Sequence, residues 1–312
     1  MKILHVDKNH PLLIENLASK GHENVELYLE SKSYIKKIIH KFDILIIRSR
    51  FSIDKSFLKE CKKLKLIARL GSGIENIDIS FAKKLGIKIL SAPEGNRTAV
   101  GEHVIAMLLC LMNKLLFSHN NIKQGLWDRE ASRGHEISNK IFGIIGYGNM
   151  GKSLAQKLQA FNVKVIFYDI KKGLGDQYAK EVDLLTLKNR SQILSIHVPQ
   201  TELTTQMINT KFISEMKNPF WLINTSRGSV VNTYDLVRGL KNGKILGAGL
   251  DVLEYESSSF NSIFTKKEIP ESIKYLTNSK NVILSPHVAG LTFESYEKLS
   301  RVILNKIQLA IN

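Results

Sequence analysis

The stretch Lys140–Asp169, KIFGIIGYGNMGKSLAQKLQAFNVKVIFYD, constrains this chain more than any other. An apolar run (Ile141–Ile145) is followed by a glycine cluster, an amphipathic pattern (Met150–Phe161) and a second apolar run (Lys164–Tyr168) that ends in an acid. That order predicts a strand, a tight turn, a helix and a parallel strand, together one βαβ unit. Gly146, Gly148 and Gly151 carry the spacing G-x-G-x-x-G. The first glycine permits the turn, the second lets a pyrophosphate approach the backbone, and the third lets helix and strand pack closely. Free N–H groups at the helix start then face the phosphates. Asp169 stands at the end of the second strand, where a carboxylate holds both hydroxyls of an adenosine ribose and repels the extra phosphate of NADP. The stretch therefore predicts dinucleotide binding with NAD preferred; the neighbouring Lys171 and Lys172 are the residues that argue for NADP.

A length of 312 residues suits about two domains, each with its own core. Hydrophobic content of 43% and charged content of 24% are those of an ordinary globular protein. The N-terminus, MKILHVDKNH, begins as a strand and lacks the pattern of a signal peptide, and Val104–Leu111 is too short and interrupted to span a bilayer. A cytoplasmic protein is expected. Cys61 and Cys110 sit in helical, partly apolar contexts and suit packing rather than catalysis, and no metal site is expected. The net charge of +16 raises nucleic acid as a partner, but the lysines are scattered (Lys36, Lys37, Lys62, Lys63, Lys83, Lys84, Lys266, Lys267) without a basic run or interleaved aromatics. A solvated basic surface is the preferred reading, with no nucleic-acid or membrane partner; it also speeds encounter with a small anion.

Residues 2–90 alternate short apolar strands (Lys2–Val6, Val25–Leu29, Asp43–Ile47, Lys65–Arg69, Ile87–Leu90) with helical patterns, which predicts a parallel sheet covered on both faces. Two loops follow strand ends, where open α/β sheets place ligands: Arg48-Ser49-Arg50 and Gly71-Ser72-Gly73. Glycines around a serine can form an anion nest, and the arginines add charge-assisted donors. Ala92–Asn96 reads as a linker, and Thr98–Phe117 as one long buried helix in which Glu102 and His103 are hydrogen-bonded structural groups. Gly125-Leu126-Trp127-Asp128-Arg129 reads as an exposed turn, from which Arg129 or Arg133 can reach a neighbouring site. Further strands are predicted at Ile193–Val198, Trp221–Asn224, Gly247–Val252 and Val282–Ser285, and a final amphipathic helix at Thr292–Ile311 that packs on the first domain. The expected architecture is α/β with two doubly wound parallel-sheet domains: a Rossmann dinucleotide domain (96–287) inserted in a flavodoxin-like substrate domain (1–95 and 288–312).

Three polar residues stand just beyond predicted strand ends: Arg227 in INTSRGSVV, Glu256 in LDVLEYES and His287 in ILSPHVAG. Hydride transfer between an alcohol and a ketone needs a group that takes or gives the hydroxyl proton, and histidine titrates in the useful range. A carboxylate beside the imidazole holds its tautomer and stabilises its charged form. An arginine fork binds a substrate carboxylate in two places and polarises the adjacent carbonyl. His287, Glu256 and Arg227 fit these roles in turn.

IIGYGNMG with YD, HVPQT, NTSRGSVV, LDVLEYE and SPHVAG occur in an order that resembles the D-isomer-specific 2-hydroxyacid dehydrogenases along essentially the whole chain. IIRSR, LGSG with ENID, and NRTAVGEH resemble the phosphoglycerate dehydrogenase branch of that family. The resemblance implies NAD as cofactor and Arg227, Glu256 and His287 as the catalytic trio. It implies cofactor contacts at Gly146, Gly148, Asn149, Met150, Gly151, Asp169, His197, Val198, Pro199, Thr225, Ser226, Asp251, Ala289 and Gly290, with Asp251 holding the nicotinamide carboxamide. Arg48, Ser49, Ser72 and Gly73 fall on substrate-anion positions, and Arg129 is a candidate second cation. A homodimer built on the long helix and the Trp127 loop, and closure of the domains over the substrate, are also implied.

The implied reaction is oxidation of D-3-phosphoglycerate to 3-phosphohydroxypyruvate in serine synthesis, without a serine-sensing domain. The alternatives are reduction of hydroxypyruvate, glyoxylate or another 2-keto acid and, in a different class, an NAD(H)-sensing binding protein. Departures from the family pattern are Ser257 after Glu256, a long segment Ser257–Lys280, and Asn232 after RGSVV. Glu254 is the fallback carboxylate.

Overall fold

A computed structural model describes residues 1–256 and 269–311. The chain divides into two compact units, the first made of 1–97 and 291–311 and the second of 98–256 and 269–290 among these residues. Residues 257–268, the first part of the long segment after Glu256, lie outside the described residues.

In unit 1, strands β1 (Lys2–His5), β2 (Glu23–Glu26), β3 (Ile44–Ile47), β4 (Leu66–Arg69) and β5 (Lys88–Ser91) form a parallel sheet in the order β2-β1-β3-β4-β5. This is the flavodoxin-like order, with its switch point between β1 and β3. Between the strands lie α1 (Pro11–Ser19), α2 (Lys32–Ile38), α3 (Lys55–Leu58) and α4 (Ile79–Lys84). A strand buried on both faces must be apolar throughout, and β3 is: Ile44 and Ile46 pack on one side, Leu45 and Ile47 on the other. Ser31, Asp54 and Asp78 cap α2, α3 and α4 by accepting N–H bonds.

Helix α5 (Pro93–Met112) carries the chain from unit 1 into unit 2. The expected linker at Ala92–Asn96 is thus mostly helix. Proline at a first helical position loses no hydrogen bond and presets φ, so Pro93 starts a helix here rather than preventing one. The division between units falls at 97/98 inside α5 and at 290/291, a few residues beyond the boundaries drawn from sequence. The long helix also stops short of Phe117: Lys114 adopts φ +50°, and α6 (Leu115–Lys123) begins in a new direction across a 59° bend. Among the described residues, no single helix is long and apolar enough to cross a membrane.

Unit 2 contains β6 (Ile141–Ile145), α7 (Asn149–Leu158), β7 (Lys164–Tyr168), β8 (Lys180–Glu181), α8 (Leu184–Arg190), β9 (Ile193–Ile196), α9 (Thr210–Glu215), β10 (Phe220–Asn224), α10 (Thr233–Lys241), β11 (Ile245–Leu250), α11 (Glu271–Asn278) and β12 (Val282–Leu284). The parallel sheet runs β12-β11-β10-β9-β6-β7-β8 and reverses direction of build between β6 and β9, the Rossmann arrangement. Phe142 and Ile144 face α5 and α7, while Ile145 packs with the opposite layer of α8 to α11. The short edge strand β8 escaped the sequence reading because two residues carry no periodicity.

The last helix, α12 (Phe293–Ile311), belongs to unit 1, where Leu299, Ile303 and Ile307 pack with Leu12, Leu13 and Leu17 of α1. Its backbone meets the start of α5 closely: a Cβ on Gly95 would lie 2.7 Å from Leu299 Cα. Overpacking of this kind costs about 1–3 kcal/mol. Gly95→Ala should therefore lower the unfolding free energy from urea denaturation by that amount, and a variant as stable as the parent would show that the helices separate freely.

Candidate active site

The glycine turn follows β6. Gly146 has φ +91°, and a Cβ there would lie 2.4 Å from the His197 carbonyl oxygen; one on Gly151 would lie 2.2 Å from the Gly146 carbonyl oxygen. Gly148 has nothing within 4 Å of its Cβ position, so the space a pyrophosphate needs is open above it. No side chain caps α7, which leaves the N–H groups of Asn149, Met150 and Gly151 at the helix start for phosphate oxygens. Asp169 braces this turn as well as ending β7: its Oδ2 accepts the Tyr147 N–H at 2.7 Å and its Oδ1 the Lys171 N–H at 2.9 Å.

Tyr147, between the first two glycines, is fully buried and stacks on Phe167 at 3.8 Å. Its hydroxyl donates to Asp176 at 2.8 Å, and burial together with that carboxylate pushes its pKa upward. Sequence reading missed this tie, for which the only signal was an aromatic inside the motif.

Beyond β9, His197 donates its N–H to the Ile145 carbonyl at 2.7 Å, and its Nε2 lies 2.8 Å from Ser195 Oγ. Burial pushes its imidazole down to about 4. Val198 flanks Gly146, and Pro199 is exposed with its carbonyl taken by Thr204 Oγ1 at 2.6 Å.

Beyond β10, Thr225 Oγ1 is buried with no hydrogen-bond partner among the described residues. An orphaned hydroxyl needs a polar partner, and a dinucleotide supplies several. Ser226 is already committed, its hydroxyl donating to Asn224 Oδ1 at 2.8 Å. Asn224, fully buried, also donates to the Arg227 carbonyl at 3.0 Å and so sets the path of the loop that carries Arg227. Arg227 is half-buried, with Nη1 donating to the Ser226 carbonyl at 2.6 Å.

His287 and Glu256 meet: Nδ1 lies 2.8 Å from Oε2, and both side chains are mostly buried. Glu256 Oε1 also accepts the Leu253 N–H, which fixes the carboxylate on its own turn. Glu254 is used elsewhere, accepting the Thr233 N–H at 2.9 Å and Gln206 Nε2 at 3.1 Å. The fallback carboxylate is therefore not the histidine's partner. Asp251, 1% exposed, accepts the Ala289 N–H on Oδ2 and the Val288 N–H on Oδ1, both at 2.8 Å. Its carboxylate thus shapes the loop from Ser285 to Gly290.

Within unit 1, Arg48 donates its N–H to Asp7 Oδ2 at 2.6 Å and holds its guanidinium 5.6 Å from the Tyr296 ring centre. Arg50 is spent on structure, donating to the carbonyls of Val6, Leu27 and Glu30. Ser49 and Gly73 are half-buried in their loops, and the Ser72 hydroxyl donates to Asn96 Oδ1 at 2.8 Å. Arg129, on the exposed loop beside α6 in unit 2, forms no hydrogen bond or ion pair among the described residues, so nothing joins it to the trio. No cluster of three or more His, Cys, Asp or Glu is placed to hold a metal ion among the described residues.

A Rossmann sheet with an open glycine turn, and a His–Glu pair at the same strand edge, define the class of nucleotide-dependent dehydrogenases. Residues 105–289 match the family described as D-isomer specific 2-hydroxyacid dehydrogenase, NAD binding domain. A hydroxypyruvate reductase of Thermotoga maritima is 34% identical over 88% of this chain and 87% of its own length. A D-3-phosphoglycerate dehydrogenase of Archaeoglobus fulgidus is 30% identical over 98% of this chain, which spans only 56% of that protein. The crystal structure of a D-lactate dehydrogenase from Aquifex aeolicus, complexed with NAD and lactic acid, superposes with a TM-score of 0.84 at 27% identity over 100% of this chain and 95% of that one. The chain belongs to the D-isomer specific 2-hydroxyacid dehydrogenase family. It is an NAD-dependent oxidoreductase acting on the CH–OH group of a 2-hydroxy acid.

His197 has a consequence for stability. The folded state holds its imidazole neutral down to about pH 4, whereas an unfolded histidine takes a proton near 6.5. Below pH 6.5 the unfolded state binds more protons, so stability is lost as pH falls from 6.5 toward 4, by at most about 3 kcal/mol. His197→Gln should flatten the dependence of unfolding free energy on pH across that window; an unchanged slope would place the acid sensitivity in other groups.

Proposed function

We propose that the chain oxidises D-3-phosphoglycerate to 3-phosphohydroxypyruvate, the step that commits a glycolytic intermediate to serine. The observation that carries the choice of substrate is Arg48. Its guanidinium forms no hydrogen bond among the described residues, while that of Arg50 two positions on donates to three carbonyls. A half-buried cation with its donors unspent suits a phosphate. A second reading, reduction of hydroxypyruvate, is favoured by the Thermotoga maritima relative, which matches over 87% of its length.

In either direction the same residues act. When bound, NAD supplies the acceptor or donor of the hydride. Arg227 grips the substrate carboxylate through its planar fork. Glu256 keeps the proton of His287 on Nδ1, so Nε2 takes the proton of the substrate hydroxyl during oxidation and returns one to the carbonyl oxygen during reduction. Gly148 and the start of α7 receive the pyrophosphate, Asp169 the adenosine ribose, and Thr225 a polar group of the cofactor. Ser49, Ser72 and Gly73 are assigned to the substrate anion. Ser72 must give up or share its bond to Asn96 to do so.

A homodimer belongs to the same proposal, supported by an exposed apolar surface on and after α6: Leu115, Leu116, Ile122, Leu126 and Trp127, the last 81% exposed. Arg129 shares a shallow depression with Trp127 and Leu126, and is assigned to that surface rather than to its own trio. Two free thiols, Cys61 and Cys110, suit a reducing cytoplasm. The partner class is a small anion, with neither nucleic acid nor membrane required.

The test is NADH oxidation by the purified protein with 3-phosphohydroxypyruvate, hydroxypyruvate, glyoxylate and pyruvate in parallel. The phosphorylated acid should give the highest kcat/KM. Arg48→Ala should lower that value about 10- to 100-fold, the worth of charge-assisted hydrogen bonds, and leave hydroxypyruvate nearly unaffected. Equal loss on both substrates would remove the phosphate from Arg48 and favour the hydroxypyruvate reading.

A further inference from the structure

Asp251 gathers three consecutive peptide N–H groups. Its backbone carbonyl accepts that of His287 at 2.8 Å, and its carboxylate those of Val288 and Ala289, also at 2.8 Å. Successive N–H groups converge on one residue only if the backbone alternates hand, and His287 has φ +56°. A non-glycine residue in that region carries a cost of about 1–2 kcal/mol, so the conformation lasts only while its partners hold it.

One further group holds them. Ser285 Oγ lies 2.5 Å from Asp251 Oδ1 and 3.0 Å from His103 Nε2. A hydroxyl has one proton, and beside a carboxylate that proton goes to the carboxylate. The serine oxygen is then the acceptor, and His103 donates from Nε2. The chain runs His103 Nε2–H to Ser285 Oγ–H to Asp251, and it ties the middle of α5 to the peptides that orient His287. His103 also lies 3.6 Å from Asp251 Oδ1 itself, so the buried carboxylate has the imidazole as its nearest cationic partner when that ring is protonated.

We propose that His103 and Ser285 are positioning residues for His287, acting through Asp251 without touching substrate. The proposal rests on the role given to His287 above. Loss of either link frees one oxygen of Asp251, loosens the His287–Ala289 turn and lets the imidazole leave its line with Glu256. The glycine turn and Asp169 are untouched, whereas Asp251 and Ala289, which also fall on implied cofactor positions, shift with the turn.

The test compares Ser285→Ala and Ser285→Thr in the purified full chain, using NADH and the best of the four keto acids. Ser285→Ala should lower kcat about tenfold, the worth of a buried hydrogen bond, with KM for the keto acid within about twofold of the parent. Ser285→Thr should restore the rate, because it keeps the hydroxyl. His103→Leu should match the alanine variant and His103→Gln should recover part of the loss, which covers the case that Ser285→Ala does not fold. Parental kcat in Ser285→Ala, or equal loss in Ser285→Thr, overturns the proposal, as does a loss that resides in KM for NADH alone with kcat unchanged. Amide hydrogen exchange at Val288 and Ala289 supplies a reading independent of turnover. Faster exchange in Ser285→Ala supports the network even if the parent reduces none of the acids, an outcome that would instead refute the function proposed for the site. Unchanged exchange overturns the network itself.

Discussion

Parallel pairing throughout the unit 2 sheet is the constraint on which the rest depends. Each strand of a parallel sheet ends at the same edge, so whatever follows β6, β7, β9, β10, β11 and β12 is gathered there irrespective of distance in sequence. The glycine turn follows β6, Asp169 β7, His197 β9, Arg227 β10, Asp251 and Glu256 β11, and His287 β12. The sheet can do this because its central strands are buried on both sides and apolar: every residue of β9 and β10 is buried. Hydrophobic burial thereby assembles a polar site from residues that lie mostly beyond the strand ends.

The site is held by a small number of buried polar residues bonded to the loops that carry the reactive groups. Asn224 organises the Arg227 loop, and Asp251 organises the His287 loop. A buried amide or carboxylate is costly unless its hydrogen bonds are made. Backbone N–H groups donate to both, Asn224 donates in turn to the Arg227 carbonyl, and each loop is thereby given one path. Tyr147 acts similarly on the nucleotide side, where its phenol and the Asp169 carboxylate tie the glycine turn to the loop after β7. Rigid presentation matters here because proton transfer is sensitive to sub-ångström placement.

The parts legible in the sequence were those with a covalent or periodic signature. Gly146 and Gly151 could be assigned because no other side chain fits where their Cβ atoms would lie. Most strand positions followed from apolar runs, although β2 falls at Glu23–Glu26 rather than the expected Val25–Leu29, and the belonging of Glu256 to His287 followed from motif order. What stayed hidden was the destination of individual polar atoms. Arg48 and Arg50 are indistinguishable in RSR, yet one guanidinium donates to three carbonyls and the other forms no hydrogen bond among the described residues. Ser226 and Thr225 are adjacent, and of the two only the threonine hydroxyl has no hydrogen-bond partner among the described residues. Helix limits failed for a related reason. Pro93 and Gly95 resemble a linker in composition, but Gly95 is small because α12 passes over it, and the end of α5 is set by one left-handed residue, Lys114, in a pattern that stays apolar beyond it.

The most direct measurement of the central claim, that the His287–Glu256 pair moves the substrate proton while a separate turn holds the nucleotide, is a paired one. NADH binding by fluorescence and NADH oxidation with hydroxypyruvate and 3-phosphohydroxypyruvate would be recorded for the parent and for His287→Ala. Loss of a positioned general acid costs about 100- to 10,000-fold in rate. The structure predicts a fall of that size in kcat with the Kd for NADH within about twofold, since the glycine turn is built without His287. Turnover by His287→Ala close to that of the parent, or a parent that binds NADH and reduces neither acid, would contradict it.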